Sequence, residues 1–173
     1  MRTGLLGWLA RTPVLIGFFI AALLIGASFY FVLEAIDGDL LDMIWSGEGA
    51  ISRLIEMTDR QREVHLLGTV TLDVLYPIAY GGLLVGLLCR LAWNWRWALI
   101  LVPIATVLCD FSENTVQAMA LNGHTQDILL VKDIVTPIKF AGLGLSLALV
   151  IILALGTLVR YLLARSNSGK ENK

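Results

Sequence analysis

The sequence predicts an all-α membrane protein: a bundle of four transmembrane helices, with a helical loop on the outer side between helices 1 and 2. Three observations lead there. The first is composition. Of the 173 residues 57% are hydrophobic and 16% are charged, and the mean hydropathy is +0.78. Soluble domains run closer to about 45–50% apolar and about 25% charged. The second is a set of four apolar runs, each long enough for a hydrocarbon core that takes roughly 20 helical residues to cross. The third is the lack of period-2 alternation in any of them, which excludes a barrel and leaves helices.

The first run spans about residues 13–35 ("PVLIGFFIAALLIGASFYFVLEA"). A short basic start and the "GAS" before Phe29 resemble a signal peptide with a cleavage site. The apolar stretch is too long for that and continues past the site, so it reads as a retained helix. Residues 36–64 form the outer loop. In "SGEGAISRLIEMTDRQREVH" Ser46 is the expected cap, and Ile51, Leu54 and Ile55 share one face at i, i+3, i+4 spacing. That pattern predicts an outer helix, read as running on into helix 2. The preceding "DLLDMIW" is read as lying in the outer interface. Helices 2, 3 and 4 span about residues 65–91, 97–121 and 134–163. The chain is one domain with no internal repeat.

Charge sets the expected orientation. Arg2, Arg11, Arg90, Arg96, Arg160, Arg165, Lys170 and Lys173 fall on one side of a four-span model. The other side mixes Arg53, Arg60, Arg62 and Lys132 with many acids. By the positive-inside rule both termini are cytoplasmic, and Trp93, Trp95 and Trp97 mark the inner boundary. The membrane expected is a bacterial inner membrane. No basic stripe with interleaved aromatics supports nucleic-acid binding. Cys89 and Cys109 have neither C-x-x-C spacing nor a nearby His, so neither a disulfide nor a zinc site is expected. No cofactor and no metal are called for, and His65 and His124 read as surface residues at the outer rim.

The functional signal is a polar layer inside the apolar runs. Helix 2 carries Thr69, Asp73, Tyr76 and Tyr80 on one face. Helix 3 carries Thr106, Asp110, Glu113, Asn114 and Gln117 on one face, and helix 4 carries Lys132, Thr136 and Lys139. With a rise of about 1.5 Å per residue, Asp73, Asp110, Glu113 and Lys139 all reach the outer half of the bilayer. A charge in the bilayer costs at least about 2.5–3.5 kcal/mol, so such groups turn inward and pair. Lys139 is read as the one cation deep enough to meet the three acids. Pro77 cannot donate to the carbonyl of Asp73, which leaves that acceptor free beside the carboxylate. At the cytoplasmic end, Gly82, Gly86, Gly142 and Ser146 give small-xxx-small spacing for close helix approach. The bundle is therefore expected to be tight there and more open at the outer end.

The motifs "LDVLYPIAYG" (Leu72 to Gly81) and "DFSEN" (Asp110 to Asn114) resemble a family of small, uncharacterised bacterial four-helix membrane proteins, with LD-x-x-aromatic-P-x-x-Y-G in helix 2 and D-x-x-E-N in helix 3. The resemblance covers about half the chain. It implies a bacterial inner-membrane protein of that fold and no particular chemistry.

Three readings of the layer follow. In the leading one, Asp73, Tyr76, Tyr80, Asp110, Glu113, Asn114 and Lys139 form a site that binds or transports a small molecule, a lipid or a proton. Four helices are few for a transporter, and a homo-oligomer would answer that objection. In the second, the layer only fixes helix register within an accessory or scaffold protein. In the third, Asp73 and Asp110 form an acid/base pair of an intramembrane hydrolase. Against the enzyme, the asparagine-alanine-aspartate signature of small bacterial aspartyl peptidases, G-x-S-x-G, H-E-x-x-H and the P-loop are all missing.

Overall fold

The computed structural model describes residues 4–171, with side chains through residue 165. Arg2 and Lys173 of the charge count lie outside the described residues, as does the side chain of Lys170. Every regular element among them is helical: α1 (Leu5–Leu9), α2 (Thr12–Ile36), α3 (Gly47–Glu56), α4 (Asp59–Leu91), α5 (Arg96–Leu99), α6 (Leu101–Leu121) and α7 (Lys132–Glu171). Short 3-10 turns at Leu41–Met43, Trp93–Trp95 and Gln126–Val131 join them.

Four stretches are long and apolar enough to cross a membrane: Thr12–Ile36, Asp59–Leu91, Trp93–Leu121 and Gln126–Arg165. They fit a multi-pass membrane protein. α4 is the central helix, packed against α1, α2, α6 and α7. More than half of its most apolar stretch is covered, whereas α2 and α7 leave nearly all of theirs open. Leu24, Phe31, Ile152, Leu155 and Leu163 are among the large exposed apolar side chains. Patches of that extent are rare on soluble monomers and ordinary on a surface that meets hydrocarbon.

The helix ends follow from local chemistry. Pro13 sits in the first turn of α2, where its missing N–H removes nothing. α2 stops at Asp37, which takes the left-handed conformation (φ 49), followed by Gly38 at φ 151. A Cβ at Gly38 would lie 2.5 Å from the Arg53 guanidinium. That guanidinium donates to the Ile36 carbonyl at 2.9 Å, so it caps the end of α2 from α3. Ser46 caps α3 as expected, its Oγ accepting from the Gly49 amide at 3.1 Å. α4 begins at a reciprocal capping box of Thr58 and Gln61. The outer-loop helix therefore ends at Glu56 and does not run on into α4.

One further expectation is corrected here. The buried face of α3 is Gly47, Ala50 and Leu54, while Ile55 points outward. The reason is Gly47, whose Cα hydrogens pack on the turn at Gln126–Val131. A Cβ there would come within 2.6 Å of Leu130 Cα. The "DLLDMIW" segment exposes Met43 and Trp45 but also folds back onto the bundle. Leu40 and Leu41 are buried with Ile36, Leu54 and Leu129 in one apolar cluster that closes this end of the bundle. A second cluster around Val85, Leu88, Cys89 and Ile100 holds the end that bears the termini. Near that end the small residues do bring helices close. A Cβ at Gly82 would meet the Phe18 ring at 2.6 Å, one at Gly86 the Leu9 carbonyl oxygen at 2.6 Å, and one at Gly142 would run into Thr106 Oγ1.

Candidate functional site

The polar faces of α4, α6 and α7 turn inward and meet. Asp73, Asp110, Glu113, Asn114 and Lys139 are all buried, and Tyr80 is buried with them. Tyr76 is half-buried. Lys139 is the hub. Its ammonium lies 2.6 Å from Asp42 Oδ1, 2.6 Å from Glu113 Oε2 and 3.5 Å from Asp110 Oδ1. The Glu113 contact is an ion pair without hydrogen-bond alignment. Tyr80 donates its hydroxyl to Asp110 Oδ2 at 2.7 Å.

Two members of this network escape the sequence reading. Lys132 is fully buried and pairs with Glu113 Oε1, which also accepts from Thr136 Oγ1 at 2.6 Å. Lys139 is thus not the one cation available to the acids. The signal was present, because Lys132, Thr136 and Lys139 share a helix face; the depth argument placed Lys132 at the rim. The other is Asp42. It comes from the 3-10 turn at Leu41–Met43, which dips into the bundle and reaches Lys139. An acid among Leu40, Leu41, Met43 and Ile44 repeats the signal of "DFSEN", an acidic group inside an apolar run.

His65 explains why that turn stays inside. It is fully buried, contrary to the rim reading. The Leu41 amide donates to His65 Nε2 at 2.9 Å. Nε2 is therefore unprotonated, and Nδ1 carries the hydrogen toward Thr69 Oγ1 at 3.1 Å. The imidazole joins the Asp42 turn to α4.

The acceptor freed by Pro77 is also accounted for. Asn114 Nδ2 donates to the Asp73 carbonyl at 2.6 Å. That bond makes Asn114 a splint between α6 and α4. Asn114 Oδ1 and both amide atoms of Gln117 are buried with no hydrogen-bond partner among the described residues.

The layer has two parts. Glu113, Lys132 and Thr136 are 0% exposed and line neither cavity beside them, so they form a closed ionic lock between α6 and α7. Asp42, Asp73, Asp110, Tyr76, Tyr80 and Lys139 instead line a cavity of about 200 Å³. A second cavity of about 260 Å³ lies toward α2, lined by Gly26, Phe29 and Leu33, and shares Asp42, Met43, Asp73 and Tyr76 with the first. Seven sequence-chosen residues thus split: five face the cavity, Glu113 locks the helices, and Asn114 braces Asp73 and lines a separate groove between α4 and α6. Asp42, Asp110 and Glu113 could offer a metal three oxygens within 4.8 Å of one another. The Lys139 ammonium contacts all three and repels a cation from that position.

No family model, characterised protein or solved structure matches this chain. The resemblance carried by "LDVLYPIAYG" and "DFSEN" rests on those two motifs alone.

Proposed function

We propose that this chain is a four-helix bundle of a bacterial inner membrane, with both termini cytoplasmic, that binds or transports a small molecule, lipid or proton at a polar site in the outer half of the membrane. α3 and the turn carrying Asp42 form its outer-side loop. The observation that carries this reading is the cavity of about 200 Å³ walled by Asp42, Asp73, Asp110 and Lys139, charged groups set among helices long and apolar enough to cross a membrane, where charge is costly. A layer that served helix register alone needs only the closed lock of Glu113, Lys132 and Thr136. Carboxylates around an adjacent cavity, and the buried unpartnered amide of Gln117, exceed that need.

The test is native mass spectrometry in a mild detergent, with wild type beside Asp110→Asn. Asp110 makes the longest of the three Lys139 contacts, so its neutralisation leaves Lys139 with Asp42 and Glu113. The expected result is a defined adduct on the wild type that is lost from an equally stable variant. A wild type that carries no adduct from native membranes overturns the small-molecule and lipid readings and favours the purely structural one.

A further inference from the structure

Asp73 is the acid of the layer whose carboxylate makes no direct side-chain contact with a cation or donor. The residue is 6% exposed, and among the described residues its carboxylate forms no ion pair within 4.0 Å, Lys139 standing across the same cavity. Its polar contact is through the backbone, where its carbonyl accepts from Asn114. The side chain lines both cavities and so stands at their junction. Buried carboxylates are normally paired.

The surrounding charge has a sign. Asp42, Asp73, Asp110 and Glu113 supply four acids, and Lys132 and Lys139 supply two ammonium groups. Fully ionised, the layer is therefore two negative charges in excess. An anionic ligand would add to that excess, and a cation would reduce it.

Lys139 shows what kind of cation these walls accept. Its ammonium sits among carboxylates and also lies 5.1 Å from the centre of the Phe140 ring. Phe140 in turn stacks on Trp45 at 4.9 Å. Carboxylates beside aromatic faces suit organic ammonium ions, through charge and through the ring quadrupole. Asp73 has the same company: the Tyr76 and Tyr80 rings pack edge-to-face at 5.5 Å, and Phe29 packs on Tyr76 at 5.9 Å. A cavity of about 200 Å³ is far larger than a bare ion needs and suits a small organic molecule. The second cavity, walled by Gly26, Phe29 and Leu33, offers apolar room for substituents on the nitrogen.

We infer that the ligand of this site is a small organic ammonium ion, held with its cationic nitrogen at the Asp73 carboxylate and against the faces of Tyr76 and Tyr80. This deepens the binding reading above and rests on it.

The experiment is isothermal titration calorimetry of the purified full chain in detergent. The probes are choline, ethanolamine and 3,3-dimethyl-1-butanol, the neutral carbon isostere of choline. The proteins are wild type and Asp73→Asn. Asp73→Asn removes an unpaired buried charge, so the variant folds, and its melting temperature verifies that. At least one ammonium probe binds the wild type, the neutral isostere does not, and Asp73→Asn weakens the ammonium by about tenfold or more. Failure of both ammonium probes, equal binding of the neutral isostere, or unchanged affinity in Asp73→Asn overturns the inference. The two ideas fail separately. A neutral or acidic adduct in native mass spectrometry preserves the binding site and removes the ammonium ligand, whereas absence of both adduct and titration heat removes both.

Discussion

Glu113 holds two lysines from two different turns of α7 and so ties α6 to α7. Lys132 meets one carboxylate oxygen and Lys139 the other. Glu113→Gln leaves Lys132 buried without its acid. Removal of one partner from a buried pair costs roughly 3–5 kcal/mol, because the remaining charge stays desolvated. The variant is expected to lose about that much stability in detergent unfolding. Adding Lys132→Met to it restores much of the loss, since an apolar group of similar length then fills the site. If the double variant is no better than the single one, Lys132 is not the group left stranded. Asp73 gives the opposite expectation, because no partner loses a bond when its charge goes. Two carboxylates of one layer thus differ in role, and the difference lies in what each touches.

At the level of elements, the segment between α2 and α4 does more than connect them. The turn at Leu41–Met43 delivers Asp42, His65 holds the turn by the Leu41 amide, and α3 covers it. α3 in turn rests on the Gln126–Val131 turn through Gly47, whose amide also donates to Asp133 Oδ1 at 2.7 Å. Gly47→Ala places a Cβ against the Leu130 backbone, where no side chain can move aside. Overpacking of this kind costs about 1–3 kcal/mol. The expected consequence is faster proteolytic cleavage between residues 44 and 58 than in wild type. Gly144→Ala is the control: a Cβ there meets nothing within 4 Å, and cleavage stays unchanged. Equal cleavage of both variants would show that α3 does not depend on that contact. Nothing in the residue pattern marks Gly47 rather than Ile55 as the packed face, because hydrophobicity alone does not reveal which neighbour a helix must approach.

For the whole molecule, the proposed orientation makes a direct forecast. Glu56 ends α3, and Asn94 lies in the turn between α4 and α5; both are exposed. In intact cells a charged, membrane-impermeant thiol reagent is expected to label Glu56→Cys and to spare Asn94→Cys until the membrane is opened. Cys89 is buried and Cys109 lies within an apolar helix, so neither competes for such a reagent. The reverse labelling pattern would invert the topology and place the cavity in the cytoplasmic half. The chain's asymmetry points the same way. Arginines cluster near the terminal end, while the acids and the α3 loop gather at the other.

The sequence by itself determined the four membrane-length helices and which of their faces carry polar groups. Those features follow from hydropathy over about 20 residues and from the 3.6-residue repeat, both local properties of the chain. Even the Pro77 effect was legible, since a missing N–H frees an identifiable carbonyl. Only the tertiary structure decided the pairings. Lys139 bonds across 97 residues to Asp42, and Lys132 across 19 to Glu113. Helical periodicity says which way a side chain faces and nothing about which distant segment turns in to meet it. Asp42 is where the two kinds of information part. Its buried partner exists because a loop folds back into the bundle, and the loop does so because His65, 24 residues away from Leu41 in sequence, and the adjoining α3 hold it there.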